Sequence, residues 1–171
     1  MLVYKDLITG DELCSDAYPQ LPPFGQQDLA EVGFEVKSSK RAKGNEDYGI
    51  SHNQEDEIFD ADDQVEIVID IVDSFRLQET PLTKKEYESY IKKYMKKITS
   101  MLTESKPDRV DTFKKHVTTF VKHILSNFDE FNFYIGESME LEGGLVYSYY
   151  HGEELSPRFV YLIDGLKEDR Y

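Results

Sequence analysis

At 171 residues the chain is long enough for one sizeable core, and its formal charge of -14, with 20 Lys and Arg against 34 Asp and Glu, makes it a poor general binder of nucleic acid. No run of eighteen apolar residues is present to span a bilayer, and the start, MLVYKDLITGDEL, lacks the basic and long apolar regions of a secretory leader, so the cytoplasm is the expected compartment. With Cys14 as its single cysteine, the chain has no internal disulfide and no Cys-x-x-Cys zinc site.

Cys14 itself reads as a small buried or half-buried thiol. Further along, Val32, Phe34 and Val36 alternate with other residues, the period of a strand. From Ser38 to Gln64 apolar content falls and no period is sustained, which predicts a long mobile loop over 38–64. Within it, Glu55 to Asp63 reads EDEIFDADD, six carboxylates in nine residues. An EF-hand counted from Asp60 fails: Gln64 stands at the fifth position, Val65 at the glycine site and Ile71 where the closing glutamate belongs. What such a run offers is weak calcium binding by Glu55, Asp56, Glu57, Asp60, Asp62 and Asp63, and no tightly bound cofactor is expected.

Val65, Ile67, Ile69 and Ile71 alternate and predict another strand. The clearest signal follows. Tyr87, Tyr90, Ile91, Tyr94, Met95, Ile98, Met101 and Leu102 recur at spacings of three and four, one apolar face of a helix. Thr83 with Glu86 three residues on forms a capping box at its start, and Pro81 punctuates the chain just before. A polar break, TESK, leads to Pro107 at a first helical position, and Val110, Phe113, Val117, Phe120, Val121, Ile124, Leu125 and Phe128 repeat the pattern. Two helices joined this tightly are antiparallel neighbours, a hairpin over 83–128. Eleven Lys and Arg stand there against five Asp and Glu, so an insert of about +6 sits in a body of about -20.

After the hairpin, FNFYI, LVYSYY and RFVYLI are rich in β-branched and aromatic residues and read as strands. Strand runs on both sides of a helical pair give an α+β class, a mostly antiparallel body whose first and last segments pair, in a single domain over 1–171.

Signals for catalysis are absent. There is no Gly-x-Ser-x-Gly elbow and no phosphate-binding glycine loop, and His52, His116, His123 and His151 are scattered, so the chain is not expected to be an enzyme. His116 and His123 lie two helical turns apart, about 10 Å by helical rise, too far to share a metal ion. Lys92, Lys93, Lys96 and Lys97 instead form a double stripe at i and i+4, suited to an acidic partner such as the tails of tubulin.

The segment from Phe128 to Tyr150, FDEFNFYIGESMELEGGLVYSYY, with its Tyr134 to Glu137 core, resembles the C-terminal signature of the translationally controlled tumour protein family. The opening MLVYKDLITGDELCSD, then VDSFRLQETPLTKKEYESYIKKYMKKI, ESKPDRV, KHILSNF and the closing PRFVYLIDGL resemble it in the same order, over nearly the whole chain except the loop. The resemblance implies a β-tent body like that of the zinc-binding Rab chaperones, here without zinc, carrying the hairpin and the loop. It also implies a multifunctional interaction protein of the cytosol that binds calcium, microtubules, small GTPases of the Rheb type in a guanine-nucleotide exchange role, and the translation elongation factor one complex. For the GTPase role the family's residues fall on Glu12 and on Glu137 of the Gly-Glu motif. The alternative is a low-affinity calcium-binding protein working through the acidic loop.

Overall fold

The computed structural model describes residues 1–42 and 66–170. In chain order these form β1 (Leu2–Asp6), β2 (Glu12–Ser15), β3 (Gly33–Lys37), β4 (Lys40–Ala42), β5 (Ile67–Ile69), α1 (Asp70–Phe75) and β6 (Gln78–Glu79). The hairpin α2 (Lys84–Ser105) and α3 (Val110–Ser126) follows, then β7 (Asn132–Ile135), β8 (Val146–Tyr149), β9 (Arg158–Leu162) and β10 (Leu166–Arg170). Every strand pair among the described residues is antiparallel. One sheet has the order β10-β1-β2, a second β3-β9-β8-β7-β6, and β4 pairs with β5. The fold is α+β, as the alternation of strand and helix periods predicts.

The five-stranded sheet is buried on both faces, which explains why β7, β8 and β9 read as nearly continuous apolar runs. Phe133, Ile135, Tyr147, Val160 and Leu162 pack with the hairpin's Tyr87, Ile91, Ile98, Phe120 and Ile124. On the other face Phe34, Val36, Tyr134, Val146, Phe159 and Tyr161 pack with Tyr4, Leu13 and Cys14 of the small sheet and Ile71 of α1. Each fully buried side chain of this kind contributes about 1.5–3 kcal/mol.

The Thr83 capping box forms as expected: Glu86 N donates to Thr83 Oγ1 at 3.1 Å and Thr83 N to Glu86 Oε1 at 2.8 Å. The hairpin tip is fastened to the sheet by Arg109, whose Nε and Nη2 donate to Asp164 at 3.0 and 2.7 Å while Nη2 also reaches Glu31 O. Nearby, Tyr94 crosses Gly165 so closely that a Cβ there would stand 1.8 Å from its Oη, so only glycine fits.

Three expectations need correction. Ile71 is not the end of a strand: β5 stops at Ile69, and Asp70 and Asp73 open α1, where carboxylates near the first amides complement the helix dipole. Val65, placed in the same strand, lies outside the described residues. The loop predicted over 38–64 begins too early, because Lys40–Ala42 pairs with β5. That pairing is held by Ser39 N donating to Asp70 Oδ1 at 2.9 Å and by Arg41 Nη2 with Asp73 at 2.9 Å, bonds that local composition does not register. Finally, the TESK break is mostly helix, since α2 runs through Ser105. Thr103 and Ser105 fold their hydroxyls back onto Thr99 O and Met101 O, which lets polar residues occupy the last turn.

Glu35 is a fully buried charge that its place in a strand did not announce. Its Oε1 accepts from Phe24 N at 2.8 Å and Tyr149 Oη at 2.7 Å, and its Oε2 from Arg158 Nη1 at 2.7 Å. Arg158 also grips Glu154 with two bonds, at 3.1 and 2.8 Å. Phe24, held at a left-handed φ of 55°, in turn stacks on His123 of α3 with ring centroids 4.0 Å apart. One carboxylate thus ties β3, β8 and β9 to the turn that supports the hairpin.

Removing one member of a buried ion pair leaves uncompensated polar groups, so Glu35→Ala is expected to cost about 3–5 kcal/mol. Denaturant titration reads this directly, and a loss below about 1 kcal/mol would show that the network is not needed. Cys14 provides a second test. Burial pushes its thiol up to about 11, so it stays protonated until the pH approaches that value. At pH 8, alkylation by iodoacetamide is expected to be at least about a hundredfold slower in the native protein than in denaturant.

Candidate functional site

The turn joining β1 to β2 is held by several hydrogen bonds. Asp6 Oδ1 accepts from Ile8 N at 2.8 Å and Thr9 N at 3.3 Å, and its Oδ2 from Gly144 N at 2.6 Å. Burial raises the Asp6 carboxyl above its ordinary range, while these amide bonds oppose the shift. Gly10 supplies a φ of 84°, and Asp6 N closes the turn onto Asp11 O at 2.7 Å.

From that turn Asp11 reaches the strand end after β7. Its Oδ2 accepts from Ser138 Oγ at 2.6 Å and Ser138 N at 3.2 Å. The approach requires glycine at 136, where a Cβ would lie 2.4 Å from the Asp11 carboxylate. Glu137 is therefore presented next to the start of β2, where Glu12 projects. Both are exposed, and both line one cleft of about 300 Å³ with Ser74, Phe75 and Arg76. The two residues assigned to a common role by resemblance thus lie together.

Arg76 also lines this site, although no motif marks it. It caps α1 with a left-handed φ of 54°, and its Nη1 lies 3.0 Å from Glu137 Oε2. With side chains 70% and 58% exposed, this pair is a rim contact that a competing cation or carboxylate displaces at little cost. Glu12 has no ion-pair partner among the described residues. The cleft therefore offers one free carboxylate and one held in reserve by a guanidinium. No group of three or more His, Cys, Asp or Glu among the described residues is arranged to hold a metal ion. The carboxylates expected to bind calcium, Glu55, Asp56, Glu57, Asp60, Asp62 and Asp63, lie outside the described residues.

All four lysines of the stripe are exposed on α2, yet they do not form one surface. Lys92, Lys93 and Lys96 edge a groove of about 710 Å³ between the helices, which Lys114 of α3 completes. Lys97 faces the other way, 3.7 Å from Glu142 in the connection between β7 and β8. Lys93 also borders a cleft of about 850 Å³ on that side, with Leu82, Tyr90 and Leu141. Among the described residues no helix is long and apolar enough to cross a membrane.

The family profile for translationally controlled tumour protein matches residues 1–167. The chain belongs to this family. A translationally controlled tumor protein homolog of Plasmodium yoelii yoelii is 57% identical over 171 residues, with all of both chains covered. The homolog of Schizosaccharomyces pombe is 41% identical over 177 residues, again with full coverage of both. Among solved structures, the tumor-associated protein p23fyp from Schizosaccharomyces pombe superposes with a TM-score of 0.80 at 39% identity over 100% of each chain. The solution structure of the Caenorhabditis elegans family member gives a TM-score of 0.66 at 26% identity, covering 100% of this chain and 99% of the other. The mixed architecture of helices and antiparallel sheets is thus that of the family.

Asp11 sets the cleft, so Asp11→Ala should release Ser138 and loosen Glu137. The expected result is about 1 kcal/mol of lost stability and amide exchange at Ser138 faster by about tenfold. Unchanged exchange would show that the turn is held by other contacts.

Proposed function

We propose that the protein is a non-enzymatic interaction protein of the cytoplasm whose Glu12–Glu137 cleft engages a small GTPase of the Rheb type and promotes nucleotide release. The observation that supports this most is the meeting of Glu12 and Glu137, 125 residues apart in sequence, in one cleft framed by a stitched turn. A carboxylate on a rigid support competes with nucleotide phosphates for the GTPase's magnesium or its phosphate-binding lysine, which weakens nucleotide binding. Glu12 is the free group for that competition. Glu137 joins when a partner's carboxylate draws Arg76 away.

A second reading concerns acidic partners. Lys92, Lys93, Lys96 and Lys97 lie exposed on a helix inside a basic hairpin, which favours docking of acidic tails such as those of tubulin. Contact with the translation elongation factor one complex is proposed on the family resemblance alone. No tightly bound cofactor is part of the proposal, and low-affinity calcium binding rests on the composition of the acidic segment.

Release of a fluorescent guanine nucleotide from a Rheb-type GTPase tests the first reading. Acceleration by the parent protein is expected, with a loss of about tenfold or more in Glu12→Ala and a smaller loss in Glu137→Ala, both variants remaining folded because both side chains are exposed. No acceleration by the parent, or equal acceleration by Glu12→Ala, would end the exchange proposal.

A further inference from the structure

The hairpin inverts the charge of the molecule, and the groove between its helices concentrates that inversion. Of the residues lining it, Lys92, Lys93, Lys96 and Lys114 are basic and none is acidic. The base is apolar: Met95 is half-buried, and Phe113 and Val117 lie beneath it as part of the core. Thr118 spends its hydroxyl on Lys114 O at 2.9 Å, so that side chain presents its methyl group more readily than its oxygen. Lysines on both banks with an apolar base make a surface for a ligand that is acidic at its edges and apolar along its middle.

We infer that this groove docks an amphipathic helix with acidic flanks, supplied by a partner protein. Two antiparallel helices leave a furrow into which the side-chain ridge of a third helix packs. An apolar stripe at i, i+3, i+4 and i+7 lies on Met95 and on the aliphatic stems of the lysines, over the buried Phe113 and Val117, while glutamates on either side reach Lys92 and Lys96 on one bank and Lys114 on the other. Charge supplies the selection. The rest of the chain carries about -20, so an acidic helix is repelled elsewhere and drawn to the hairpin. Lys97 takes no part, because it is turned toward Glu142. The inference deepens the acidic-partner reading above and rests on it, replacing a loose stripe of charge by a groove that also reads apolar spacing.

The test uses the full chain and two fluorescein-labelled peptides of about 18 residues, long enough for about five helical turns. Both contain the same leucines and glutamates, one with leucine at helical spacing and one with leucine dispersed around the helix. At about 0.15 M salt the amphipathic peptide is expected to bind at least about tenfold more tightly by anisotropy and to gain helical circular dichroism on binding. The double variant Lys96→Glu/Lys114→Glu should weaken it by at least about tenfold, while Lys115→Glu, exposed on α3 outside the groove, should change it by less than about twofold. These lysines are exposed, so the variants keep the fold. Equal binding of both peptides, lost in the double variant, would overturn the groove and leave the acidic-partner reading standing. Failure of both peptides to bind would overturn both. Tight binding that survives the double variant would place the peptide elsewhere and overturn the groove alone.

Discussion

A sheet with no solvent face is the constraint on which this structure depends. The five-stranded sheet presents aromatic and aliphatic side chains on both sides, so it is stable only when covered twice. The hairpin covers one face, and the small sheet with α1 covers the other. The hairpin is therefore more than an appendage. Tyr87 of α2 stacks on Phe133 with ring centroids 5.4 Å apart and shares a hydrogen bond of 2.9 Å with Tyr147 Oη, which satisfies two phenols in the middle of an apolar layer. The basic face that the hairpin shows to solvent comes with a cover that the sheet requires.

Burial on both sides also determines how charge enters the interior. Glu35 alternates with Phe34 and Val36 and so points to the helix side of the sheet, where an ionised group without partners would be prohibitively costly. It is accommodated by three donors from three segments, and Arg158 is held in turn by Glu154. This arrangement places Phe24 in its left-handed conformation against His123. Partial burial lowers the His123 pKa below its ordinary value, since burial disfavours the charged ring. His123 therefore belongs to the packing of the hairpin on the sheet.

The elements that the sequence made legible are those where periodicity and burial coincide. Both long helices, the capping box at Thr83 and the aromatic strands β7 to β9 follow from residue pattern alone. What escaped was fixed by contacts distant in sequence. β10, LKEDR, is charged and carries no apolar strand period, yet it is a strand because β1 offers it an edge. Ile71 alternates with its neighbours, yet Asp70 and Asp73 turn the chain into α1. At the cleft, Glu12 and Glu137 were named through family motifs, whereas Asp11 and Arg76 were not, since their roles exist only once the β1–β2 turn meets the end of β7. The nearest signal was Gly136, whose lack of a side chain marks a close approach without saying what approaches.

The same contrast separates the two candidate surfaces. The cleft owes its geometry to Asp11, whose bonds to Ser138 join two turns, so the backbone that carries Glu12 and Glu137 is in place before any partner arrives. The hairpin groove has a fixed base and mobile banks, because lysine side chains carry their charge on flexible stems. A preorganised site suits a ligand with one demanding geometry, such as a nucleotide-loaded GTPase, since little ordering remains to oppose binding. Lysine banks over an apolar base suit a ligand defined by pattern, because many side-chain placements satisfy the same charges. The two surfaces thus differ in how much of each is held in place by the fold, and so in the kind of ligand each suits.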